Sequence, residues 1–233
     1  MILNQLNDLP SLGMRKLYHL LKPKIDDLGI SMGRDKFFEL CSRLGLSQKP
    51  KKRRKTGDNM LSFVTPNLLK NLVPIRKNLI WYTDITYLKI KDKHAYLSLI
   101  IDHYSRKIIG WNLANNMETN ESTKALNMAI WNSDSDLRGL IHHSDRGSQY
   151  RSADYNAVLN KHNITQSMTD GGKPYQNAIN ERINGILKHE FNLVQAFDNW
   201  TKMQNTVNNA INAYNNLRPH TALNFNTPSQ LYA

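Results

Sequence analysis

The sequence predicts an α/β protein: a mixed five-stranded sheet flanked by helices, preceded by a small helical, helix-turn-helix-like domain. Three observations carry this expectation. Residues 79–113 hold three runs rich in Ile, Tyr, Leu and Thr, separated only by short turns. From residue 118 onward helix-like and strand-like runs alternate. Before residue 46 the apolar residues recur at helical spacing instead.

Taken in order, residues 11–46 read as two short helices. Met14 to Leu21 carries Leu17, Leu20 and Leu21 on one side, and Pro23 is expected to end it. Gly29 to Gly33 breaks the pattern. Asp35 to Leu44 is a second helix, with Phe37, Phe38, Leu40, Cys41 and Leu44 apolar and Gly45 as its stop. The segment 49–55, KPKKRRK, has six basic residues in seven and reads as an extended linker. Leu79–Ile90, Ala95–Asp102 and Lys107–Leu113 are three strands of an antiparallel meander. Glu118 to Trp131 is a helix, Leu140–His143 a short strand, Ser152 to Lys161 a helix N-capped by Ser152, and Ile164–Met168 a fifth strand. A helix follows the loop Asp170–Pro174, and a longer one spans about Asn199 to Asn216. The organisation expected is a helical domain at 1–48, a basic linker at 49–78, a core at 79–195 and a C-terminal helix and tail at 196–233.

The chain has 233 residues, 40% of them hydrophobic, enough for a buried core. No apolar run approaches the ~20 residues of a membrane span, and no secretory signal is legible. Cys41 is the single cysteine, which excludes an internal disulfide and a multi-cysteine zinc site and fits a reducing cytoplasm. The net charge of +12 favours a polyanionic partner, and without a basic amphipathic helix nucleic acid is preferred to a membrane surface. Lys51, Lys52, Arg53 and Arg54 of the linker can follow a phosphate backbone.

Three acids stand out. Asp84 lies within a strand, Asp145 follows one, and Glu181 lies on a helix, with 60 residues between the first pair and 35 between the second. Singly, an Asp near a strand end forms turns and a helical Glu faces water. A carboxylate in a strand core, however, is costly unless paired or metal-bound, and hard oxygen donors suit Mg²⁺. Asn177, Glu181, Asn184 and Lys188 form a polar helical stripe opposite Ile179, Ile183, Ile186 and Leu187. His142 and His143 read as structural histidines, Asp102 and Arg106 as a local ion pair or turn cap rather than metal ligands, and Trp81 and Trp111 as core aromatics. Gly147 suits a close backbone approach or a turn, and Arg218 and His220 either a phosphate contact or packing.

In order, the segments WYTDITY at 81–87, IDHYSRKIIGW at 101–111, HSDRGSQY at 143–150, QNAINERINGILKHE at 176–190 and YNNLRPHTAL at 214–223 make the chain resemble retroviral-integrase-like DDE transposases. The resemblance is to the OrfB proteins of the third bacterial insertion-sequence family. It implies an RNase H-like fold, a catalytic metal triad of Asp84, Asp145 and Glu181, and two Mg²⁺ or Mn²⁺ ions. It also implies an enzyme that exposes a 3′-hydroxyl at the element end and joins it to target DNA. Lys188 would contact terminal DNA, with Lys173, Tyr175, Asn177 and Asn184 as further DNA contacts. A homo-oligomer on DNA and an upstream-frame transposase partner are expected. Two rivals differ in class: a non-catalytic DNA-binding regulator, and an RNase H-like nuclease that cuts without joining.

Overall fold

The computed structural model describes residues 2–46, 65–70, 72–133, 137–170 and 178–233. Its centre is the expected antiparallel meander: β1 (Ile80–Ile90), β2 (Lys93–Asp102) and β3 (Ile108–Ala114). Two short strands, β4 (Ile141–Ser144) and β5 (Thr165–Met168), join it parallel to β1, giving the order β3-β2-β1-β4-β5. The sheet has six strands rather than five, because β6 (Ala196–Phe197) pairs with the far end of β1. Two residues are too few to show any alternation in sequence.

Alternation along the strands divides the core between the two faces. Trp81, Ile100 and Ile109 point to one face, against α4 (Thr119–Trp131), α5 (Ser148–Arg151) and α6 (Ala153–Lys161). Ile80, Tyr82, Leu97, Leu99 and Ile101 point to the other, against α7 (Ala178–Glu190) and α8 (Trp200–Asn216). On the first face α4 lies so close that a Cβ at Gly110 would stand 2.2 Å from the Ala125 carbonyl oxygen. Ser152 caps α6 as expected, its hydroxyl accepting from the Tyr155 N–H. The tail ends in a 3₁₀ turn (Thr221–Leu223) and α9 (Pro228–Tyr232), the latter closed by a Thr227/Gln230 capping box.

The N-terminal segment has three helices: α1 (Ile2–Asp8), α2 (Met14–Asp27) and α3 (Arg34–Arg43). The stop expected at Pro23 does not occur, and α2 runs through it. Leu17, Leu21 and Ile25 are buried at four-residue intervals, and burying that third side chain offsets the hydrogen bond a proline removes. Gly45 does end its helix, at φ 68°, with Leu46 N–H bonded back to the Cys41 carbonyl. The buried residues of α2 and α3 form one continuous cluster with Ile80, Leu97, Val207 and Tyr214. No helix among the described residues is long and apolar enough to cross a membrane. The basic run 49–55 lies outside the described residues.

Candidate active site

β1 pairs with β2 from Trp81 to Ile90, but β4 covers only Ile80 to Tyr82 of its other edge, and β6 only Lys89 and Ile90. Between them β1 has an open edge, and α7 lies over it. Asn180 Nδ2 donates to the free Thr83 carbonyl at 2.9 Å, and Asn184 Nδ2 to Asp84 Oδ2 at 2.8 Å. The helix is thus docked on the strand by two amides, with Ile183, Ile186 and Leu187 buried alongside. Asn184 belongs to the expected polar stripe. Asn180 was missed, though its signal is legible: it shares the i, i+3, i+7 spacing of Ile183 and Leu187, a polar residue on an apolar face.

The paired register of β1 and β4 runs to Tyr82 and His143. Two residues further along each parallel strand stand Asp84 and Asp145, at the carboxyl end of β4 where its chain turns away. Asp145 Oδ1 accepts from Gly147 N–H at 2.9 Å, which folds the turn into α5. Arg146 Nε donates to the Thr169 carbonyl at 2.9 Å and fixes that loop from the side. Beneath, Thr83 donates to the Leu99 carbonyl at 3.0 Å and lies 3.4 Å from the fully buried Tyr150 hydroxyl.

The electrostatics are unbalanced. Burial, then the neighbouring Asp145 charge, push Asp84 up to about 7, against the Ile85 N–H, Asn184 and Lys188, which pull it down. Lys188, half-buried four residues past Asn184, is lowered by burial and raised by Asp84. Asn184 Oδ1 is buried without a hydrogen-bond partner. A buried carboxylate held against a second one, with oxygen donors to spare, fits a hard divalent cation.

Glu181 sits one helical turn before Asn184, in the first turn of α7, and is exposed. Among the described residues no three acids, histidines or cysteines form a group able to hold a metal. The structure therefore sets two of the three expected acids within electrostatic reach of each other and leaves Glu181 exposed on α7. Lys173, Tyr175 and Asn177 lie outside the described residues, as do Lys51, Lys52, Arg53 and Arg54.

The remaining readings resolve simply. His142 Nε2 meets the Tyr155 hydroxyl at 3.0 Å and His143 Nδ1 the Ser167 hydroxyl at 2.9 Å, both buried. Asp102 caps its turn, accepting from Ser105 N–H and hydroxyl and from Asn78 N–H. Trp81 is wholly buried, and Trp111 partly so. Arg218 and His220 are both buried, and Arg218 is paired with Glu190.

Two family models, each described as an integrase core domain, match residues 74–174 and 162–228. The insertion element IS600 uncharacterized 31 kDa protein of Shigella sonnei is 34% identical over 213 residues, 90% of this chain and 78% of that protein. Transposase InsF for insertion sequence IS3A of Escherichia coli (strain K12) is 39% identical over 151 residues, 64% of this chain. The matched part is about half of that relative's own length (52%). Among solved structures, the HTLV-2 integrase catalytic core domain in complex with magnesium aligns with a TM-score of 0.54 at 21% identity, covering 68% of this chain and 99% of that one. That likeness is one of fold.

Proposed function

The chain belongs to the integrase-core family of insertion-sequence transposases, and from that premise we propose that it cuts and joins DNA phosphodiester bonds with Asp84, Asp145 and Glu181 as its catalytic acids. Water attacks the phosphodiester at the element end and releases a 3′-hydroxyl. That hydroxyl then attacks a target phosphodiester, forming the new link and expelling the target's own 3′-oxygen. No covalent protein intermediate is needed.

The observation that carries this reading is the Asp84–Asp145 pair at the open edge of β1. Asp84, disfavoured as a charge by burial and by the Asp145 carboxylate, is a poor way to stabilise a fold and a good way to bind Mg²⁺ or Mn²⁺. Asp84, Asp145 and Glu181 would hold two such ions. The chemistry these supply is Lewis acidity: a more acidic attacking hydroxyl and a neutralised leaving oxygen. Glu181, in the first turn of α7, would turn towards the pair to complete the set. Asn184 orients the Asp84 carboxyl. Lys188 offers a point charge to a DNA phosphate beside the acids, with Lys173, Tyr175, Asn177 and the linker residues Lys51, Lys52, Arg53 and Arg54 extending the DNA path.

Synapsis of two ends calls for a homo-oligomer on DNA, and an upstream-frame partner would read the terminal repeat. Work on DNA places the chain in the bacterial cytoplasm. The test is strand joining of a pre-cut oligonucleotide end in Mn²⁺. Asp145→Asn should bind DNA like the parent and fail to join. Joining at the parental rate would remove Asp145 from the mechanism, and cutting without joining by the parent would favour a nuclease.

A further inference from the structure

The last residue of α7 makes a contact that the chemistry above does not use. Arg218, 1% exposed at its side chain, donates Nε to Glu190 Oε2 and Nη2 to Glu190 Oε1, both at 2.7 Å. Such a two-point fork fixes direction as well as distance. Lys16 Nζ of α2 stands 3.8 Å from the same carboxylate, with 14% of its side chain exposed. Burial, and then the Arg218 charge, draw Lys16 down to about 8.

The loop that carries Arg218 also holds α2 at a second point. The His19 ring stacks on Phe225, centroids 4.3 Å apart and planes 19° off parallel. Asn224 and Phe225 both have positive φ, 51° and 64°. A left-handed bulky residue is an outlier that its surroundings must enforce. Here the Phe225 N–H bonds to the His220 carbonyl, and the His220 N–H to the Asn226 carbonyl. The loop is folded so that it presents Phe225 to α2 and Arg218 to α7.

We propose that residues 218–225 are a clasp, with Arg218 and Glu190 as positioning residues that set α7 on β1 and Lys16 and His19 as the points through which the N-terminal helices bear on it. The proposal rests on the catalytic reading for its consequence but not for its geometry. Glu190 lies nine residues past Glu181 and two past Lys188 on the same rigid helix. A tilt at the clasp is therefore carried to Glu181, Asn184 and Lys188. The RPH segment, read from sequence as a phosphate contact or packing, becomes the joint between the N-terminal helices and the catalytic helix.

The double variant Glu190→Met/Arg218→Met tests this in the full chain. Replacing a buried ion pair by apolar side chains commonly leaves stability intact, so the thermal midpoint should stay near the parent's. Joining of a pre-cut end should nevertheless fall about 100-fold, the scale of a small misplacement of reacting groups, with DNA affinity unchanged. Amide exchange over 178–190, read without metal or DNA, should quicken about tenfold while that of α4 holds. A folded double variant with parental exchange in α7 and parental joining overturns the proposal. Lys16→Met/His19→Ala, which touches only the α2 side, should quicken exchange in α7 about threefold. Unchanged exchange there removes the N-terminal helices from the clasp, and this arm decides the matter if the first variant does not fold. Because exchange is read independently of catalysis, a parent that fails to join would refute the catalytic reading and leave the clasp to be judged by its exchange.

Discussion

Two carboxylates lie against α7, and they are treated in opposite ways. Glu190, at its end, receives both arms of the Arg218 fork with Lys16 beside it. Asp84, beneath its middle, receives one amide from Asn184 and faces a second acid. The first arrangement satisfies a buried charge and so belongs to the architecture. The second leaves a charge short of partners, a cost that a fold tolerates where a ligand is to complete the set. A carboxylate beside the same helix is structural or chemical according to whether its pairing is finished within the chain.

The widest separation should come from activity. Asp145→Asn should reduce metal-dependent joining by about 1,000-fold or more, the scale set by loss of one electrostatic catalytic group, while the thermal midpoint does not fall. Stability should show the reverse at the other site. Glu190→Gln leaves the Arg218 guanidinium buried without its countercharge, and chemical denaturation should register a loss of about 3 kcal/mol. A loss within error would dissolve the contrast between the two sites.

Asp84→Asn should stabilise the metal-free chain by about 2 kcal/mol near pH 8, because it removes a buried charge and its repulsion from Asp145. The same origin gives a pH dependence. The Asp84 pKa rises from 3.8 in the unfolded chain to about 7 in the folded one. Across that window the folded state keeps a proton that the unfolded state has released. Stability contributed at this site is therefore full below the window, falls as pH rises through it and levels off above. Melting curves in chelator across the window would show this slope in the parent and its absence in Asp84→Asn. Mn²⁺, which needs the ionised carboxylate, should bind more tightly as the pH rises to about 7. The smallest effect sharpens the role of the helix. Asn184→Ala removes one hydrogen bond to Asp84 and should cost about 1 kcal/mol of metal-binding free energy, read as a several-fold higher Mn²⁺ requirement.

Much of this fold is legible in the sequence. Alternating Ile, Tyr and Leu announced the meander, and β1, β2 and β3 begin and end within two residues of their expected bounds. Period-two burial against a sheet is a local property that the chain must satisfy wherever it folds. Pro23 misled because its penalty is local while the burial of Ile25 that outweighs it comes from partners far along the chain. The strand β6 and the helix α5 were too short to carry a period.

For the site, the sequence by itself determined which residue types were at hand: acids in a strand, after a strand and on a helix stripe, with Asn184 and Lys188 on that stripe. Only the tertiary structure decided that β4 stops short and opens the edge of β1, that Asn180 and Asn184 dock α7 there, and that Asp84 meets Asp145. It also decided that Arg218 faces Glu190 rather than a phosphate. The physical reason is that a side chain's chemistry is fixed by its covalent structure, whereas its charge state and partners depend on burial and on neighbours that only the folded chain brings near.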